Sequence, residues 1–307
     1  MLFSGRDLWF RKRYLVYGKG YRFHSYLSIR EGWKDTLDRW ILRGSCVPSF
    51  RRSWVLSLLQ KEGFQPRSFL FFDTSSYKNT DFIGIVEREN ETISFVKIYK
   101  ETCIAAENRE KARTAHTLFS SSFEVAAVEQ GDGRILALTL LSKVRNTSVE
   151  EVWPKVLEHS VALLHDATQQ REWTELSWYE GNRSSKEVMG HGDLSHWNCF
   201  WNQEDQLCLI DYEEIALYPP MYDCFHLLLK PSLLHGTVEI PISRCKEIAN
   251  ACNHSLEEVG TWLYLYLDSE NKKDIHRNKK LQNSLVDETI DNRRIMQQKC
   301  KEWLQNL

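Results

Sequence analysis

Apolar residues between positions 68 and 142 fall into short strand-like runs, and beyond position 144 they fall at helical spacing. This change of period constrains the fold more than any other feature of the chain. Phe69–Phe72, Phe82–Glu87 and Ile93–Tyr99 are rich in Phe, Ile and Val and are broken by DTSSYKNT and ENE, which predicts three strands. Residues 103–119 have helical composition. Phe123–Glu129 and Ile135–Leu141 flank a GDG turn at Gly131–Gly133 and predict a strand pair. From Val149 to Thr168 the apolar positions Val152, Val156, Leu157, Val161 and Leu164 mark an amphipathic helix. Residues 169–186 are polar and read as a loop region. Cys199–Trp201 and Leu207–Ile210, separated by NQEDQ, predict a small hairpin, and from Met221 to Leu307 the chain reads as mostly helical, with a charged, amphipathic last stretch at 281–305. The expectation is an α+β chain with five strands and one helix first and a mainly helical half after.

Hydrophobic residues make up 42% of the 307 positions and charged residues 27%, which excludes a wholly disordered chain. No apolar run approaches the roughly 20 residues that span a bilayer. The opening segment has no continuous apolar stretch after its charges, so it does not read as a secretory signal. Eight cysteines are scattered with no CxxC pair, which suggests neither a zinc site nor a disulfide framework and places the chain in the reducing cytoplasm. Charge is uneven: residues 1–67 hold fourteen Lys and Arg against five Asp and Glu, and the remainder holds 26 against 37. Ser53–Glu62 within this basic head reads as a short helix ending near Gly63 and Pro66. The head is a candidate for peripheral contact with an anionic membrane face or glycan, or for docking on the acidic remainder of its own chain.

The chemistry concentrates in HGDLSHWN at 191–198, LCLIDYEE at 207–214 and PPMYDCFHLL at 219–228. Phosphoryl transfer from a nucleotide needs a carboxylate beside the attacking hydroxyl and hard oxygen ligands for Mg²⁺. Asp193 lies five residues before Asn198, a spacing that lets the carboxylate face an acceptor while the amide oxygen turns to a metal. Asp211 follows the apolar run LCLI, and a carboxylate at a strand end is a natural second metal ligand. A hairpin over 199–207 would bring Asn198 and Asp211 side by side.

These residues resemble the aminoglycoside phosphotransferase and choline kinase superfamily, over about residues 68–265. The resemblance implies a two-lobed protein-kinase-like fold, with a small five-stranded antiparallel N-lobe carrying one helix and a mainly helical C-lobe. On that reading residues 1–67 are a basic extension, 68–142 the nucleotide-binding lobe and 143–307 the lobe with the catalytic loop and acceptor pocket. The implied activity is ATP- and Mg²⁺-dependent transfer of the γ-phosphoryl group to a hydroxyl of a small molecule. Asp193 would be the catalytic base or orient the acceptor, His191 would brace the loop, Asn198 and Asp211 would hold Mg²⁺, and Asp223 would be structural. Lys97, a cation mid-strand between Val96 and Ile98, would serve the α/β-phosphates, with Lys100 its local competitor. Its ion-pair partner would be Glu110 or Glu107, Glu110 being favoured because REKA resembles the family frame. Leu140, Leu141 and Ser142 fall where a hinge would pair with adenine through its backbone.

Two departures stand out. No GxGxxG lies between the first two strands, where Ser75 and Ser76 stand instead; hydroxyls or backbone amides can cradle phosphate. The DFG-like position reads Asp211-Tyr212-Glu213, which keeps the carboxylate but loses the glycine. The segment YEEIALYPPMYDCFHLL also has a looser similarity to a bacterial phosphotransferase subgroup associated with surface-polysaccharide genes, which implies a sugar or glycan intermediate as acceptor. A nucleotide-binding scaffold without turnover is the alternative; the retention of Lys97, Asp193, Asn198 and Asp211 together favours an enzyme. A protein Ser/Thr kinase is disfavoured by HGDL in place of HRDL and by the lack of an APE-like segment. A nucleic acid is a further anionic partner that the basic head could meet, but no specific one is expected.

Overall fold

The computed structural model describes residues 14–17, 49–61, 63–73, 80–88, 93–125, 127–128, 133, 135–140, 145–166, 170–172, 186–202, 205–234, 236–281 and 284–307. Ser75, Ser76, Leu141 and Ser142 lie outside these residues. The chain divides into two compact units, 1–147 with 199–213 and 148–198 with 214–307. The hairpin over 199–209 thus clusters with the first unit, although the sequence places it beyond the expected boundary at 142/143.

The first unit is built on an antiparallel sheet. Its strands are β1 (Tyr14–Tyr17), β2 (Pro66–Asp73), β3 (Thr80–Arg88), β4 (Ile93–Tyr99), β6 (Ala127–Val128) and β7 (Ile135–Leu140), in the order β1-β2-β3-β4-β7-β6. Among the described residues six strands, not five, form it, because Tyr14–Tyr17 from the basic head pairs with β2 in the register Tyr14↔Phe72. Helix α1 (Ser49–Lys61) starts ahead of the expected Ser53 and is also part of this unit. Its Val55 and Leu59 are fully buried with Phe69, Phe71, Phe82, Val96 and Ile98. Burying each such side chain contributes about 1.5–3 kcal/mol, which is the physical reason these parts of residues 1–67 are built in rather than set apart.

Helix α2 (Thr102–Phe119) follows β4 and buries Ala105, Ala112, Ala115 and Phe119. The expected strand 123–129 is split. Its first piece, β5 (Glu124–Val125), leaves the main sheet and pairs in parallel with β12 (Leu207–Leu209). The hairpin β11 (Cys199–Trp201)–β12 forms where expected, in the register Cys199↔Leu209, and β8 (Arg145–Asn146) extends it.

The second unit opens with α3 (Val149–His165), started by a reciprocal capping box between Ser148 and Glu151. Its buried face includes Val152, Val156, Leu163 and Leu164. A three-stranded sheet in the order β13-β10-β9 contains β9 (Gln170–Glu172), β10 (Lys186–Gly190) and β13 (Ala216–Tyr218). Part of the polar region read as loop is thus strand. Helices α4 (Tyr222–Leu234), α5 (Ile242–Cys252), α6 (Leu256–Leu281) and α7 (Ser284–Gln305) complete it. Among the described residues no helix is long and apolar enough to cross a membrane.

Candidate active site

Lys97 owes its place to strand alternation. On β4 its neighbours Val96 and Ile98 are fully buried on one face, and Lys97 stands on the other. There its ammonium meets the Asp211 carboxylate at 2.5 Å and Glu213 at 2.9 Å. Burial opposes the ammonium charge, but Asp211 and Glu213 outweigh it and hold Lys97 above the usual lysine range. Asp211 follows β12 with a φ of +72°, a left-handed conformation that aspartate tolerates better than most residues. Glu213 is gripped further: the Tyr99 hydroxyl donates to its carboxylate at 2.5 Å, and Lys111 donates to its carbonyl at 2.9 Å.

The expected partner of Lys97 is therefore replaced. Glu110 stands on an exposed face of α2 and pairs with Arg113 one turn on, and Glu107 pairs with Lys111. The acids that meet Lys97 follow β12 instead. An exposed glutamate gains little from an ion pair, whereas a half-buried ammonium needs its charge satisfied.

In the second unit, β10 delivers the chain into His191-Gly192-Asp193. Gly192 has a φ of +78°, and a Cβ there would collide with the Tyr218 hydroxyl and the Glu214 carbonyl, so only glycine fits. Asp223, in the first turn of α4, accepts from the backbone amides of His191 at 2.8 Å and Gly192 at 3.0 Å. The fully buried His191 ring accepts at Nδ1 from the Asp193 amide at 3.3 Å. Both act on the loop backbone and not on a reacting group.

The Asp193 carboxylate is buried and surrounded by donors. His226 Nε2 lies 3.0 Å from Oδ1, and Lys230 makes an ion pair with the same oxygen. Asn198 Nδ2 donates to the Asp193 carbonyl at 2.8 Å and approaches its carboxylate at 3.4 Å. Burial pushes the Asp193 pKa up, but Lys230 and His226 outweigh it and hold it well below the usual carboxylate range. Burial and then the Lys230 charge push His226 down, so the imidazole is neutral and donates from Nε2. Behind it, Glu270 accepts from the Tyr222 hydroxyl and faces Lys273 at 3.5 Å and Arg293 at 3.8 Å.

Asn198 carries the informative vacancy. Its Nδ2 is committed to Asp193, while its buried Oδ1 has no hydrogen-bond partner. An orphaned buried amide oxygen costs roughly 1–3 kcal/mol, and a hard oxygen of this kind suits Mg²⁺. Among the described residues no group of three His, Cys, Asp or Glu side chains is arranged to hold a metal ion.

His226, Lys230, Glu270 and Glu213 escaped the sequence reading. The first two carried a signal, a His and a Lys four apart on FHLLLK and so on one helix face. Nothing local marked Glu213 as the partner of a lysine 116 positions earlier.

Residues 125–239 match the Phosphotransferase enzyme family. A macrolide 2'-phosphotransferase type I shares the fold with a TM-score of 0.53 at 13% identity, over 80% of this chain and 97% of that one. The macrolide 2'-phosphotransferase MphH from Brachybacterium faecium does so with a TM-score of 0.52 at 10% identity, over 78% and 95%. The choline kinase LicA from Streptococcus pneumoniae overlaps at a TM-score of 0.49 and 12% identity, over 75% and 92%. A search of curated protein sequences returned no match. The family model thus covers 115 of the 307 residues, among them the stretch 191–228 that carries the resemblance, and the two macrolide phosphotransferases show a shared fold.

Proposed function

We propose that this chain is an ATP-dependent phosphotransferase that moves a γ-phosphoryl group to a hydroxyl of a small molecule. The observation that carries the reading is the Asp193–Asn198 loop, where a buried, ionised carboxylate sits beside an amide oxygen left without a partner. Asp193 holds the acceptor hydroxyl and takes its proton as the new bond forms. Asp223 and His191 fix the loop backbone, so that the Asp193 carboxylate is positioned before substrate arrives. Lys97 holds the nucleotide phosphates, and Glu213 with Tyr99 fixes its ammonium. Asn198 Oδ1 and the Asp211 carboxylate would hold Mg²⁺, which when bound would neutralise phosphate charge. Adenine contact by the backbone near Leu141 and phosphate contact by Ser75 and Ser76 follow from the family frame. The YEEIALYPPMYDCFHLL segment supports a sugar or glycan intermediate as acceptor, and the basic residues 1–67 support peripheral contact with an anionic surface from the cytoplasmic side.

The test is thermal unfolding with ATP, with and without Mg²⁺, followed by turnover against panels of sugars, glycan intermediates and amino alcohols. Metal-dependent stabilisation by ATP and phosphate gain on one acceptor class are expected. A chain indifferent to ATP with Mg²⁺ would overturn the reading, and stabilisation without turnover on any panel would leave a nucleotide-binding scaffold.

A further inference from the structure

The transferred phosphoryl group carries negative charge on three equatorial oxygens, so a phosphotransferase needs a cation aimed at that group. The stretch His191–Asn198 holds neither Lys nor Arg. A cation nevertheless reaches Asp193, from helix α4: Lys230, one turn beyond His226. Its side chain is 19% exposed, so the ammonium is not sealed in, and it lies 6.0 Å from the centroid of the Trp197 ring. The other cations of this cluster are committed elsewhere. Lys273 holds the Gly192 carbonyl at 3.3 Å and the carboxylates of Glu214 and Glu270, and Arg293 faces Glu270.

Oδ1 of Asp193 is claimed twice, by His226 Nε2 and by Lys230 Nζ. The double claim matters because one donor can leave without orphaning the carboxylate. His226 is buried, with its ring stacked on Tyr222, and stays; Lys230, on a flexible four-carbon stem, is the one able to swing.

Resting on the phosphotransferase reading above, we infer that Lys230 is a further catalytic residue, which moves from Asp193 to the transferred phosphoryl group as the acceptor hydroxyl takes its place on the carboxylate. The acceptor oxygen forms a bond to the γ-phosphorus while the bond from that phosphorus to ADP breaks. The bonding pair leaves with ADP, the hydroxyl proton passes to Asp193, and the ammonium of Lys230 faces the equatorial oxygens throughout. The cation that serves this step is therefore carried by a helix outside the catalytic loop.

The experiment uses the full chain and its Lys230→Ala, Lys230→Gln and Lys230→Arg variants, with thermal unfolding to identify the folded ones. Three quantities are read: acceptor-free ATP hydrolysis, affinity for Mg²⁺-ADP, and affinity for Mg²⁺-ADP with fluoroaluminate, a mimic of the phosphoryl group in transfer. Loss of Lys230 lowers hydrolysis and mimic affinity by about 10²–10³-fold, leaves Mg²⁺-ADP affinity within about twofold, and Lys230→Arg restores part of both. Hydrolysis and mimic affinity equal to wild type overturn the inference. A parallel loss of Mg²⁺-ADP affinity also overturns it, by making the role structural. Failure of the phosphotransferase reading looks different: wild-type protein then binds neither Mg²⁺-ADP nor the mimic and hydrolyses no ATP, which overturns both.

Discussion

Each unit pairs a lysine with an aspartate, and the two pairs are built oppositely. In the first unit the cation is outnumbered: Lys97 faces Asp211 and Glu213. In the second the anion is outnumbered: Asp193 faces His226, Lys230 and Asn198. A surplus of carboxylate around a lysine is a place that tolerates more positive charge, as a divalent cation would bring. A surplus of donors around a carboxylate keeps it ionised and oriented for a hydroxyl. The two pairs differ because the first gathers extra carboxylate charge around its cation and the second gathers extra hydrogen-bond donors around its anion.

The largest expected effect breaks the first arrangement. Asp211→Ala removes a proposed metal ligand and should cut ATP turnover by about 10³-fold or more, measured as initial rate against Mg²⁺ concentration; near-normal rates would show that the acid surplus serves only Lys97. Asp193→Asn comes next. It keeps the shape but not the charge, and kcat should fall by about 10²–10³-fold with ATP affinity nearly intact. Full kcat in that variant would show that the donor surplus has no reacting group at its centre.

Acid should strain the second cluster through Glu270. Burial pushes this carboxyl up, but Lys273, His226 and Arg293 outweigh it and hold it at about 2, against 4.5 for the free group. The native state therefore binds that proton later than the unfolded chain does. The contribution is present above pH 4.5 and is lost as pH falls toward 2, up to about 3 kcal/mol. Urea midpoints followed from pH 7 to pH 3 should show this loss in the wild type and a smaller slope in Glu270→Gln. A gentler test sharpens the partner of Lys97: Glu213→Ala should weaken Mg²⁺-ATP binding by about tenfold, near 1.4 kcal/mol, read by calorimetry. Smallest of all, Glu110→Ala should change it less than twofold, since its bridge to Arg113 is exposed; a larger loss would return Glu110 to the role the family frame gives it.

The candidate loop was legible because its residues are close in sequence. His191, Asp193 and Asn198 sit within eight residues, and the hairpin that follows them is marked by its own turn. The strands at Phe82–Glu87 and Ile93–Tyr99 were legible for a similar reason, as short runs rich in Phe, Ile and Val between polar breaks. The strand Tyr14–Tyr17 was missed because its backbone partner, Phe69–Phe72, lies more than fifty positions away. Pairing across such a gap leaves no local pattern.

The sequence by itself determined that a sheet-forming region precedes a helical one and grouped His191, Asp193 and Asn198 as one candidate cluster, because both follow from neighbours along the chain. Tertiary structure alone decided that Lys97 meets Glu213 and not Glu110, that α1 and β1 of the basic head are built into the first sheet's unit, and that Lys230 stands against Asp193. Those outcomes depend on charges and apolar surfaces that meet only once the chain has folded, and burial then sets which partner each buried charge must have.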